Sequence, residues 1–426
     1  LNLANGNPII TETNTLQAEM EGPHYTPAPI FQSVDRWLTV APGKSAEVAK
    51  DVAAAVRERL LGILFSQSVD IADRKIGEPA DLDLGCRLAL GFKDGPLDLM
   101  RKLGEQTTGK ALIRLRQERA GMPMPKRPFA AYQKFTRHIL VDDIGSVKVI
   151  TLRRPEALNA LHDEMNDEIL AVIKRFESDR KVSGFVLTGY GTKAFCAGGD
   201  IGRFVDMLGD APASEQYARD CSRLLVHLDK MKKPVVAALN GLALGGGFEL
   251  AMRCHEIVAL KRASIQLPEV TLGIVHGIGA MVVPYRRWPH AAPTFNAMLR
   301  QAERLKAGRA HELGIVSGLA DDYASLIQMA VARVGALAGH VSPIGDGPVA
   351  ISIDAIEARA ASGQVLSREC IDIMEKAILE AAAEHTFEAA LEVGYKAFGL
   401  SACTESAYEG IGSFKEKRKP DFSKTK

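Results

Sequence analysis

Lys233-Pro234-Val235-Val236-Ala237-Ala238-Leu239-Asn240-Gly241-Leu242-Ala243-Leu244-Gly245-Gly246-Gly247-Phe248-Glu249-Leu250 carries a strand, a glycine turn and the start of a helix. Val235–Leu239 is apolar throughout, which suits a strand covered on both faces. Gly245-Gly246-Gly247 then breaks the chain, and Phe248–Cys254 reads as a helix. A strand that enters a helix through bare backbone presents N–H groups with no Cβ in the way. At a helix N-terminus the dipole also favours negative charge. Upstream, Phe195-Cys196-Ala197-Gly198-Gly199-Asp200-Ile201 forms a turn of the same character. Neither turn is G-x-G-x-x-G or G-x-x-x-x-G-K-[ST], so neither is a dinucleotide or P-loop fingerprint.

Outward from these turns, β-like and α-like segments alternate. Ser146–Leu152 is a β-branched run, Asp163–Phe176 a helix and Gly184–Thr188 a strand, after which the first turn leads to a helix expected near Ile201. Glu256–Leu260 and Ser264–Leu267 are further short strands. This alternation predicts an α/β core. From about Ala302 the pattern is mostly helical, ending in the basic stretch Lys415–Lys419.

The N-terminal part has a different texture. Asn2–Pro29 shows no period. Ser45 is expected to cap a helix over Ala46–Ala72 whose apolar face is Val48, Val52, Val56, Leu60, Ile63, Leu64 and Ile71. Leu84–Leu90 continues helically, Gly91–Pro96 breaks it, and Leu97–Leu103 resumes. Pro123, Pro125 and Pro128 then predict an extended, exposed linker. The expected organisation is a helical domain over 1–121, a linker over 122–135 and an α/β domain over 136–426.

At 426 residues the chain suits two domains. Apolar content of 46% and charged content of 25% are those of a globular protein. The net charge of +1, without a long basic block, predicts neither nucleic acid nor a membrane as partner. Runs such as Val235–Leu239 fall far short of the ~20 residues that span a bilayer. Six cysteines without a C-x-x-C pair form no zinc knuckle or disulfide framework and point to the cytoplasm. A first residue of Leu1 rather than Met predicts a processed product or a piece of a longer polypeptide.

Two amides converging on one oxygen make an oxyanion hole, and two carboxylates flanking one water can activate it and return a proton. Glu249 lies three residues after Gly246, and Glu269 follows Leu267-Pro268 at a strand end. A single glycine turn is as a rule only a turn, and a single Glu a solvated charge. Glu249 differs because Phe248, Leu250, Ala251 and Met252 mark its helix as buried. Glu269 also has a helix-start role as a competitor.

From Gly145 to Lys426 the chain resembles the crotonase (enoyl-CoA hydratase/isomerase) superfamily, an α/β fold of the ClpP/crotonase type. The resemblance rests on Arg154–Leu161, Ala194–Ile201, Lys233–Leu250, Leu267–Gly273 and the Glu409–Pro420 tail. It implies oxyanion-hole amides at Gly199 and Gly246, catalytic glutamates at Glu249 and Glu269, and a water-positioning amide at Gly277. It further implies substrate or CoA contacts at Ala157, Ala197, Asp200, Ile201, His276, Phe414 and Lys417, the last often across a subunit interface. His276 stands where the family usually has Pro, and a lone His is more often structural than catalytic. CoA would enter as part of the substrate, with no metal and no permanently bound cofactor. Such enzymes usually form homotrimers or hexamers.

The N-terminal part resembles the all-α C-terminal domain of 3-hydroxyacyl-CoA dehydrogenases, through Arg57–Leu61, Asp81–Gly85 and Leu90–Leu99. Neither an NAD site nor that family's catalytic His is found. The combined expectation is an enoyl-CoA hydratase of fatty-acyl-CoA metabolism, the C-terminal part of a dehydrogenase–hydratase fusion. The competitors are a crotonase-fold acyl-CoA hydrolase or enoyl-CoA isomerase, and a non-catalytic assembly module, for which the paired glutamates would have no use.

Overall fold

The computed structural model describes residues 15–20, 26, 47–200, 202 and 204–425, Lys424 by its backbone alone. It divides into two units, Leu1–Lys134 and Phe135–Lys426.

The first unit has helices α1 (Lys50–Asp73), α2 (Pro79–Leu90) and α3 (Pro96–Glu118). Gly62 lets α1 close on α3, since a Cβ there would lie 2.8 Å from the Ala111 carbonyl oxygen. Phe65, Val69, Leu97, Met100, Leu112 and Leu115 form the core. Asp83 is buried and caps α3 from outside, accepting the N–H groups of Leu97 at 2.8 Å and Asp98 at 2.9 Å.

Two expectations for this unit are corrected. Ser45 lies outside the described residues, and α1 begins only at Lys50. Its predicted apolar face is largely exposed: Val52 is 49%, Val56 52% and Leu60 62% accessible. The face turned to α3 is instead Gly62, Phe65, Ser66, Val69 and Ala72. Close approach at Gly62 decides the packing, and periodicity gives no weight to a glycine or a serine. The proline-rich segment is also not a free linker. Ser66 Oγ donates to the Pro123 carbonyl at 2.7 Å, and Tyr132, buried, donates its hydroxyl to Asp73 at 2.7 Å. The Lys126 and Arg127 amides donate back to the Tyr132 oxygen, tying the segment to its own unit.

The second unit holds β1 (Ile139–Ile144), β2 (Val147–Leu152), α4 (Asp163–Phe176), β3 (Gly184–Gly189), β4 (Ala194–Cys196), α5 (Ala211–Asp229) and β5 (Val235–Leu239). It continues with β6 (Leu242–Leu244), α6 (Gly246–Arg253), β7 (Glu256–Leu260), β8 (Ser264–Gln266), α7 (Val283–Arg287), α8 (Ala292–Gln301), β9 (Leu305–Lys306) and α9 (Ala307–Glu312). Then come β10 (Gly318–Ala320), α10 (Tyr323–Leu337), α11 (Arg368–Ala383), α12 (Phe387–Ser401) and α13 (Glu405–Lys415). The helical C-terminal part thus contains two short strands and an irregular stretch over 338–367.

One sheet runs β1-β2-β3-β5-β7-β10, parallel except for the β1/β2 hairpin; the other runs β4-β6-β8-β9. β3 and β5 are wholly buried, as their mainly apolar residues suit, and the Thr188 hydroxyl of β3 donates to the Ala238 carbonyl of β5 at 3.0 Å. The chain crosses from the large sheet to the small one three times, after β3, after β5 and after β7. Asn240 holds the second crossing against the first, accepting from the Gly189 amide at 3.1 Å and donating to the Gly189 and Gly191 carbonyls at 2.8 and 2.7 Å. β4 and β6 therefore lie side by side in parallel, and the two glycine turns leave the same edge together. The helix expected near Ile201 is absent among the described residues there; a 3-10 turn at Phe204–Met207 precedes α5, broken from it by Gly209 at φ +83°. No helix among the described residues is long and apolar enough to cross a membrane.

Candidate active site

The turns after β4 and β6 bring two backbone amides together. Gly246 opens α6, so its N–H has no carbonyl partner within the helix. The Gly199 nitrogen lies 3.3 Å from where a Cβ on Gly246 would stand, and the Gly246 nitrogen 3.8 Å from the same point on Gly198. Side chains at these positions would fill the space that the amides face. Leu161 pairs with the first turn, donating to the Gly198 carbonyl at 2.8 Å while its own carbonyl accepts from Asp200 at 2.7 Å.

Glu249 stands one turn into α6 and is 2% exposed. Its Oε1 accepts the Ile278 amide at 3.1 Å and the Ala280 amide at 2.7 Å. Burial, together with the nearby Glu269, pushes its carboxyl up to about 7, against the opposing pull of His276 and the two amides. Glu269 begins the 3-10 turn Glu269–Leu272. Gly245, at φ +46°, makes room for it: a Cβ there would fall on the Glu269 carboxylate. His276 is wholly buried with Nδ1 2.9 Å from Glu269 Oε2, in ion-pair contact although not aligned as a hydrogen bond. Burial acts to lower the His276 pKa, but Glu269 and then Glu249 raise it above the ordinary imidazole value. One ligand-capable atom from each of Glu249, Glu269 and His276 lies within 4.8 Å of the others.

The two glutamates and the Gly199 and Gly246 amides border a cleft of about 450 Å³ lined by Leu161, Ala197–Asp200, Phe204, Tyr217, Leu244–Gly246, Ile274 and Ile278 among others. Of the residues singled out in the sequence, Glu249, Glu269, Gly199, Gly246, Gly277, Ala197, Asp200 and Phe414 line it. Gly277 must be glycine, because a Cβ would stand 2.9 Å from the Phe398 ring. Asp200 is held by Arg154 at 3.0 Å; burial acts to raise its carboxyl, but the Gly202 amide and Arg154 keep it below the ordinary range. Three residues are not on the cleft wall. Ala157 closes a neighbouring 3-10 turn, Lys417 is exposed on the tail, and His276 is buried and faces Glu269. Ile201 lies outside the described residues.

The sequence offered no signal for several contributors. Phe204, Tyr217, Ala218, Cys221 and Phe398 wall the cleft from segments without a motif. The Ile278 and Ala280 amides reach Glu249 through a loop whose shape is fixed by long-range contacts. A second cluster, His138, His162 and Glu164, has ligand-capable atoms within 4.8 Å of one another. There the His162 Nδ1 lone pair is already taken by the Met165 amide, which caps α4.

Residues 143–343 match the enoyl-CoA hydratase/isomerase family model. The chain is 32% identical over 299 residues to the mitochondrial enoyl-CoA hydratase of Pongo abelii, covering 70% of this chain and 91% of that protein. It is 32% identical over 278 residues to a probable enoyl-CoA hydratase of Bacillus subtilis (strain 168), covering 65% and 95%. The crystal structure of an enoyl-CoA hydratase from Rhodobacter sphaeroides 2.4.1 shares the fold, with a TM-score of 0.54 at 21% identity over 67% of this chain and 91% of that one.

Proposed function

The chain belongs to the enoyl-CoA hydratase/isomerase family, and on that premise we propose that it is a lyase adding water to a 2-enoyl-CoA thioester to give the 3-hydroxyacyl-CoA. The observation that carries this reading is the juxtaposition of Glu249 and Glu269 on a cleft that also presents the Gly199 and Gly246 amides. A hydrolase or isomerase needs the oxyanion hole but not both carboxylates.

In the proposed reaction the thioester carbonyl oxygen accepts hydrogen bonds from the Gly199 and Gly246 amides. Enolate charge that develops there is stabilised by preformed donors, each worth ~10²–10³ in rate. A water between the two carboxyl groups loses a proton to the ionised member of the Glu249–Glu269 pair as its oxygen bonds to Cβ of the substrate, and the protonated member delivers its proton to Cα. A carboxyl pushed up to about 7 suits a group that takes and returns protons near neutral pH. The carboxylates supply the proton transfers that a metal-bound water would otherwise provide, and CoA comes with the substrate.

The same reading covers the rest of the chain. The resemblance of residues 1–121 to a dehydrogenase helical domain supports a dehydrogenase–hydratase fusion. Lys417, exposed and not itself lining its own cleft, fits a CoA contact made across subunits of a homotrimer or hexamer. Six free cysteines fit the cytoplasm.

The test is incubation with crotonyl-CoA while following loss of the enone absorbance, beside Glu249→Gln and Glu269→Gln. Hydration that falls by ~10²–10⁴ in each variant supports the reading. Thiol release without enone loss replaces it with hydrolysis.

A further inference from the structure

One loop serves both carboxylates. Residues 274–280 carry His276 to Glu269 and the Ile278 and Ala280 amides to Glu249. The loop is pinned on its far side, with the Val275 amide donating to Ser401 Oγ at 3.3 Å and Arg253 donating to the Ile278 carbonyl at 3.0 Å. His276 is the imidazole that this loop brings to the pair, and its side chain is 0% exposed.

A nitrogen and a carboxylate oxygen 2.9 Å apart would repel through their lone pairs unless one of the two carries a proton. That proton sits on Nδ1 or on Glu269 Oε2. Neither His276 nitrogen nor Glu269 Oε2 has an aligned hydrogen-bond partner, an arrangement that a buried polar group adopts only at a cost. A structural histidine would have both nitrogens satisfied. An imidazolium beside two buried carboxylates instead offsets their mutual repulsion.

Building on the hydratase reading, we infer that His276 is a positioning residue for the Glu249–Glu269 pair: it fixes the Glu269 carboxylate and, carrying a proton, keeps a member of the pair ionised. The charged groups that act on it are Glu269, from its 3-10 turn, and Glu249, from α6. Helix α12 meets the loop with Phe398 and Ser401, which bear no charge, and α13 meets it with Ser406, whose hydroxyl donates to the Gly273 carbonyl. The Arg253 guanidinium is paired with Asp229. His276 does not line the cleft and need not touch substrate.

Two measurements on the full chain test this. In the first, NMR of histidine-labelled protein follows the His276 ring through a pH titration, its signal assigned by loss in His276→Gln. The midpoint is expected to fall by about one pH unit or more in Glu269→Gln; a midpoint that stays put overturns the inference. In the second, kcat/KM for crotonyl-CoA hydration is measured against pH for wild type, His276→Gln and His276→Asn. Loss of the cation destabilises the ionised pair, so the acid limb should move up by about one pH unit with KM within about twofold. A lower melting temperature with an unmoved limb in both variants marks a purely structural role and overturns it. If wild type does not hydrate crotonyl-CoA, the hydratase reading fails, and the NMR titration alone still decides whether His276 is charged by Glu269.

Discussion

Glu249 works against the stability of the domain that holds it. Its carboxyl is pushed from an ordinary 4.5 to about 7 in the folded chain, so the folded state binds a proton more tightly than the unfolded state does. Stability then falls as pH rises from about 4.5 to about 7 and stays reduced above that. Glu249→Gln keeps a carbonyl oxygen for the Ile278 and Ala280 amides and removes the ionisation. Its melting temperature should come nearest wild type at about pH 4 and exceed it at pH 8, by about 2–4 °C for each kcal/mol relieved. Thermal unfolding at the two pH values checks this, and a constant difference between them would contradict it. Glu249 was legible in the sequence because its glycine turn and buried helix are contiguous with it. Its partner amides and His276's contact with Glu269 were not, because they depend on where the 274–280 loop folds back.

At the scale of elements, the turn that carries Glu269 is braced by α13. Gly410 of that helix presses on the turn so closely that a Cβ would lie 1.9 Å from the Leu272 carbonyl oxygen. Gly410→Ala is expected to cost about 1–3 kcal/mol by overpacking. Because Glu269 sits at the head of the displaced turn, kcat for hydration should also drop, by up to ~10². Melting temperature and kcat measured together distinguish this from a purely global loss. Regular elements were the most readable part of the chain: Asp163–Phe176 was expected and found with those limits. What failed was the choice of face on α1. Val52, Val56 and Leu60 form a clean helical stripe, yet Gly62 against Ala111 sets which side meets α3. A glycine's value as a contact point has no hydrophobic signature.

For the whole molecule, every residue lining the cleft comes from the second unit, Phe135–Lys426, which has its own continuous core. A chain cut to 135–426 is therefore expected to unfold cooperatively and to keep the crotonyl-CoA activity of the full chain within a few-fold. Calorimetry and the enone assay on the cut chain check this; loss of the folding transition would refute the independence of the unit. The change of texture between the two halves was readable from the chain, because helical and strand–helix periods differ over many residues. The tether that Ser66 and Tyr132 make on the proline-rich segment was not, since prolines report backbone limits and not what their carbonyls accept. The placement of α13 also has a consequence for synthesis. Phe414 walls the cleft and Gly410 steadies the turn of Glu269, so a growing polypeptide leaves the ribosome with its sheets and Glu249 already made but without its finished cleft. Chemistry begins only when this late helix docks, and a premature stop codon before it would release a chain without a complete cleft.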